Sequence, residues 1–101
     1  MKYIFDSWRD ANIIKKNLNN EQCELLQDIL NNSKFIDKRP ENFVLDYDDL
    51  YEDKLFSIET NDKYKPFKNQ ILTIWFVAES FIDDIDYLIE AVKDIQEEIL
   101  K

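Results

Sequence analysis

The stretch whose reading decides the fold is QILTIWFVA, Gln70–Ala78, which runs through Glu79 and Ser80 into FIDDIDYLIEAVKDIQEEI, Phe81–Ile99. Ile71–Val77 is rich in β-branched and aromatic residues, which suits a strand. Yet Ile71, Ile74, Trp75 and Ala78 also extend the helical stripe of the following segment backwards. A single helix from about Lys68 to Ile99 is therefore the rival reading. A helix of about 30 residues is uncommon in a small domain, so the strand is preferred.

The segment after it is unambiguous. Phe81, Ile82, Ile85, Leu88, Ile89, Val92, Ile95 and Ile99 follow the helical period without a miss. The spacing predicts a long amphipathic helix over about 79–99. With Glu79 at zero and about 100° per residue, Asp83, Asp86, Glu90, Asp94 and Glu97 join it in a wedge about 80° wide. The apolar set lies opposite. At about 1.5 Å per residue such a stripe runs roughly 27 Å, and Tyr87 stands at its edge. Exposed helix faces gain from alternating charge, whereas Glu79–Asp83, Asp86–Glu90 and Glu90–Asp94 are all repulsive at i,i+4. Lys93 lies to one side of the row. The helix dipole accounts for Glu79 and Asp83 but not for acids near the C-terminus. The plain alternative is a solvated face that aids solubility.

Working back from the centre, Leu55–Thr60 reads as a strand. Asn61, Asp62 and Pro66 mark a loop, so residues 55–60 and 70–77 form the expected antiparallel hairpin. Earlier still, Asn19 and Gln22 have the spacing of a capping box, with Leu18 and Cys23 at the staple positions. Leu25, Leu26, Ile29 and Leu30 then give a helix over 20–32. Residues 33–42, with Arg39-Pro40, read as a connection. Tyr3–Phe5 reads as a short strand, and Asp6 or Ser7 as the cap of a short helix through Trp8, Ala11, Ile14 and Leu18. The expected fold is a small α+β single domain over 1–101. It has a central antiparallel hairpin or meander, a helix at about 20–32 and the long C-terminal helix.

Charge is unevenly placed. Residues 41–62 carry one basic and eight acidic side chains, a net of −7, and residues 79–101 carry two and eight, a net of −6. Between them Lys63, Lys65 and Lys68 form a short basic block with Tyr64 and Phe67 interleaved. That pattern suits nucleic-acid contact only weakly, and a loop tip or an internal partner for the acids is the simpler reading. The first acidic block contains Asp46, Tyr47, Asp48, Asp49, Tyr51, Glu52 and Asp53. Tyrosine is favoured at interface hot spots, and neighbouring carboxylates steer a basic partner. The rivals are an acidic loop with Leu45, Leu50 and the tyrosines packed inward, and a calcium loop. The spacing is wrong for an EF-hand, and the glycine of its sharp turn is missing.

Several functions are disfavoured by composition. The formal charge of −9 opposes direct binding of nucleic acid or of an anionic membrane. Without glycine there is no P-loop or dinucleotide fingerprint, and without histidine the commonest general base and metal ligand are missing. Cys23 has no histidine to activate it, and a carboxylate dyad would need a pocket that sequence does not reveal. No catalytic residue, cofactor or metal ligand is expected. One cysteine permits no disulfide within the chain, and the first residues lack the apolar core of a signal peptide, so a cytoplasmic address is expected. The expected role is stoichiometric capture of a basic macromolecule such as a nuclease or another nucleic-acid-binding protein. An immunity protein, an antitoxin and a phage-type anti-defence inhibitor all fit that type. The alternative is a structural or adaptor subunit that packs through apolar surface, with Trp8, Trp75, Phe76 and the tyrosines as candidate contacts. The oligomeric state is not legible.

Overall fold

A computed structural model of the chain describes residues 2–101. The helices are α1 (Ala11–Asn17), α2 (Asn20–Asn32), α3 (Lys68–Ala78) and α4 (Ile85–Ile99), and the strands are β1 (Ser33–Asp37) and β2 (Phe56–Thr60). The two strands pair antiparallel, with Phe35 opposite Ile58 and Asp37 opposite Phe56. This is the α+β class expected. Within it, the hairpin assigned to 55–60 and 70–77 is replaced by a different pairing.

The segment Gln70–Val77 is helical, so its strand assignment is corrected. Burial overrides intrinsic propensity here: Ile71, Ile74 and Phe76 are fully buried on a helix that packs against both α4 and β2. The rival single helix is corrected too, because the chain turns back between Ala78 and Ile85. Ser80 takes φ 67°, a left-handed conformation. Its N–H donates to Val77 O (3.1 Å), and Phe81 N–H donates to Phe76 O (2.8 Å). This is a Schellman closure, and its usual apolar contact is present as the Phe76 and Phe81 rings, 6.0 Å apart. Asp84 restarts the helix by accepting from Asp86 N–H at 3.0 Å. α3 and α4 thus form a packed helical hairpin, and α4 also touches α1 and α2. Its apolar face supplies Leu88, Ile89, Val92 and Ile95 to the core.

An aromatic cluster joins the sheet to this hairpin. Phe35 of β1 packs on Phe56 of β2 (5.5 Å) and on Trp75 and Phe76 of α3 (6.1 and 5.8 Å). Phe56 in turn meets Phe81 of the turn at 5.6 Å. Arg39 covers the Phe81 ring at 4.8 Å while its guanidinium pairs with Asp37 at 2.7 Å. That pairing holds the Asp37 carboxyl below the usual carboxylate range.

The capping box of α2 is as expected: Asn19 Oδ1 accepts from Gln22 N–H (2.8 Å), and Gln22 Oε1 accepts from Asn19 N–H (2.9 Å). Leu18 and Cys23 are both buried beside it. The connection assigned to 33–42 is corrected, because α2 runs straight into β1. Ser33 Oγ donates to Ile29 O (2.6 Å) and accepts from the Trp75 indole (3.2 Å), while Thr60 Oγ1 donates to Asn32 O (3.0 Å). These bonds satisfy carbonyls at the helix end without a turn. At the N-terminus the strand expected at Tyr3–Phe5 is a 3₁₀ turn over Ile4–Ser7, and the following helix starts at Ala11 rather than at Asp6 or Ser7. Asp6 closes that turn by accepting from Tyr3 N–H, and Lys15 Nζ lies 2.6 Å from its carboxylate. Lys15 thereby holds the Asp6 carboxyl below the usual carboxylate range.

The reversal generates a prediction of opposite signs. A left-handed conformation costs an L-residue about 1–2 kcal/mol, of which glycine's larger unfolded-state entropy offsets a part. Ser80→Gly should raise the unfolding free energy by about 0.5–1 kcal/mol, and Ser80→Val should lower it by about 1 kcal/mol. Urea titration followed by circular dichroism checks both.

Candidate functional site

The acidic row survives on α4, but shorter than expected. Asp86, Glu90, Asp94 and Glu97 are exposed along one face, spanning roughly 16 Å of helix. Glu79 and Asp83 are corrected out of the row. Glu79 is the residue that closes α3, and Asp83 lies in the turn. Both positions were placed on the row by assuming that the helical phase continues through residues 79–84, and the reversal at Ser80 breaks that phase.

The 46–53 segment divides into two uses. Asp46 Oδ1 accepts from Tyr47 N–H (2.8 Å), and Asp49 Oδ2 accepts from Asp46 N–H (3.2 Å). These two carboxylates hold the 3₁₀ turn Tyr47–Asp49. Leu50, 1% exposed, anchors the loop in the core. Tyr47, Asp48, Glu52 and Asp53 remain exposed. The expectation of tyrosines packed inward fails for Tyr47, which keeps 59% of its surface, and holds in part for Tyr51, which keeps 45% but sets its ring against the buried Phe76.

Among the described residues, Tyr51 is the one of the 46–53 segment that reaches a groove beside the α4 row. Its ring stands edge-on to Phe76 at 5.5 Å. Its hydroxyl lies 2.8 Å from Thr73 Oγ1, which itself donates to Asn69 O at 3.1 Å. The threonine proton is committed to that carbonyl, so the tyrosine is the donor of the first bond. Tyr51 thereby joins the lining of this open groove of about 400 Å³ between α3 and α4. α3 contributes Asn69, Gln70 and Thr73 at helical spacing, and α4 contributes Tyr87, Glu90, Ala91 and Asp94 at i, i+3, i+4 and i+7. Buried Ala91 is the small residue on the α4 side. The structure brings Tyr51, Tyr87, Glu90 and Asp94 together. It leaves Asp46, Tyr47, Asp48, Asp49, Glu52, Asp53, Asp86 and Glu97 outside the groove.

Asn69, Gln70 and Thr73 were not singled out in the sequence. Their signal was present: Thr73 is the polar interruption of an apolar run, and in a helix it falls on one face with Asn69 and Gln70. The strand reading of 70–77 concealed it.

The charges elsewhere in the chain are paired differently. Among the described residues, the ion pairs engage Asp6, Asp10, Asp28, Asp37, Asp62 and Glu98. None reaches the α4 row or the acids of 46–53. Of the basic block, Lys63 turns to Asp28 (3.8 Å) and Lys65 to Asp62 (2.9 Å). Tyr64 is fully buried, so its ring is not available for stacking; it donates its hydroxyl to Asp28, and burial pushes its pKa above the ordinary phenol value. Burial also pushes the Cys23 thiol up from its ordinary pKa. Among the described residues no three cysteine or acidic side chains are grouped to hold a metal ion, and no helix is long and apolar enough to cross a membrane. No family model, no curated protein and no solved structure matches the chain.

The groove's rigidity is testable through its hydroxyl relay. Tyr51→Phe and Thr73→Val should each cost about 0.5–1.5 kcal/mol of stability. The double variant should cost less than the sum, because both remove the same bond. Unfolding of the four proteins in urea measures the coupling.

Proposed function

We propose that the chain is a stoichiometric binding protein that neutralises a basic macromolecular partner, as an immunity protein or antitoxin against a nuclease does. The single observation that supports this reading most is the α4 row. Among the described residues, Asp86, Glu90, Asp94 and Glu97 stand exposed on one face without an ion pair, while Lys15, Arg39 and Lys63 pair with Asp6, Asp37 and Asp28. Their mutual repulsion disfavours the helix slightly, and a cationic partner relieves it. Asp48, Glu52 and Asp53 add long-range attraction from the neighbouring loop. An anti-defence inhibitor that mimics nucleic acid uses the same surface. The partner is a protein rather than nucleic acid or membrane, the role is binding rather than catalysis, and the setting is cytoplasmic.

A second reading, an adaptor that packs through apolar surface, draws on one exposed element. Val44 is 87% exposed beside Phe43 and Tyr47 on the loop after β1. Of the contacts expected for it, Phe76 is fully buried and Trp8 and Trp75 pack against the core, whereas Tyr47, Tyr51 and Tyr87 stay exposed.

The test is capture from an extract of the source organism on the immobilised chain, with mass spectrometry to identify the bound protein. The partner recovered should be basic. Its association rate should fall steeply between about 0.05 and 0.5 M salt. Asp86→Lys, Glu90→Lys and Asp94→Lys together should lower that rate by about tenfold or more. A partner bound equally well by this variant, and indifferent to salt, contradicts the reading and favours the adaptor.

A further inference from the structure

The groove between α3 and α4 differs in chemistry from the open acidic surface around it. The Tyr51 hydroxyl has committed its proton to Thr73, so its oxygen is left as an acceptor. Glu90 and Asp94 are acceptors only, and among the described residues neither is paired with a cation of the chain. These three groups offer acceptors to a ligand, and the Asn69 and Gln70 carboxamides on the α3 side can turn an oxygen towards it. Two half-exposed tyrosines, Tyr51 at 45% and Tyr87 at 46%, add aromatic surface, which attracts cations. Tyr51 is held at both ends, by Phe76 at its ring and Thr73 at its hydroxyl, so little ordering is needed on binding. Asp48, Asp83 and Glu97 have no such setting.

Resting on the reading of a basic partner, we propose that this groove is the receptor for one arginine side chain of that partner, with the guanidinium on Glu90 and Asp94 and its plane against the tyrosines. A guanidinium is planar, weakly hydrated, stacks on aromatic rings and presents five N–H donors in a fixed fork. A lysine ammonium is compact and strongly hydrated, and loses more on leaving water. The volume of about 400 Å³ suits a side chain rather than a whole helix. The remaining acids guide the partner in, and the groove selects what it carries.

The experiment titrates the isotope-labelled full chain with N-acetyl-arginine amide, and in parallel with the lysine and citrulline amides, and follows backbone and tyrosine resonances. The arginine probe should produce saturable shifts centred on Thr73, Tyr87, Glu90 and Asp94. The lysine probe should bind about threefold more weakly, and the uncharged citrulline probe should leave those resonances in place. Tyr87→Ala and Asp94→Asn should each weaken the arginine probe by about threefold or more, and Asp83→Asn should leave it unchanged. The proposal is overturned if the shifts spread equally over Asp48, Asp83 and Glu97, if lysine binds as tightly, or if Asp94→Asn binds as the parent does. Its failure is distinct from failure of the broader reading. Salt-sensitive capture of a basic protein can persist without an arginine receptor, and an arginine receptor can be present in a chain that captures no basic protein.

Discussion

Ser80 holds a backbone conformation that an L-residue disfavours, and the chain reverses there because neighbouring contacts over-determine it. Phe81 N–H closes on Phe76 O, and the two rings meet across the turn. Phe81 is then enclosed by Phe56 and covered by Arg39, whose guanidinium is fixed by Asp37 at the end of β1. The sheet, α3 and the start of α4 thus share one aromatic cluster around the reversal. Without it, residues 68–99 have the pattern of one long amphipathic helix, and α3 would lose its packing on α4. The groove exists only because α4 folds back along α3.

How much of this was legible depends on where the determining contact lies. The capping box Asn19–Gln22 and the apolar face of α4 are local patterns, and both could be read from spacing. The reversal at Ser80 carries no glycine to announce it, and its cause is a non-local set of rings. The strand Ser33–Asp37 was hidden for a related reason: Ser33 and Thr60 satisfy the helix-end carbonyls with side chains, so α2 passes into β1 without turn residues. At Gln70–Val77 β-branched composition pointed to a strand, and burial between α4 and β2 decided for a helix. For the site, Asp86, Glu90, Asp94 and Glu97 follow from helical phase alone. Tyr51 joins Tyr87, Glu90 and Asp94 only through a contact 22 positions distant, Tyr51 to Thr73, which periodicity cannot show.

The two acidic segments therefore have different parts in the functional account. Asp46 and Asp49 build the turn that places Tyr51, and Leu50 pins that turn to the core. The exposed carboxylates of the loop and of α4 act at a distance, within about a Debye length of the surface. Glu90 and Asp94 belong to both sets, since they continue the row and also line the groove. In the proposed role a basic partner is drawn by the field and discriminated at the groove, which separates association rate from specificity.

The helical hairpin is the claim on which all of this rests, and a distance between spin labels tests it most directly. Labels at Lys68→Cys and Glu97→Cys, with Cys23 replaced by alanine, lie near the start of α3 and the end of α4. Packed antiparallel helices have axes about 8–10 Å apart, so the labels should be separated by less than about 25 Å. A continuous helix would place positions 68 and 97 about 44 Å apart, at about 1.5 Å for each of the 29 intervening steps. A distribution centred on the longer distance would contradict the reversal at Ser80, the groove and the function proposed for it.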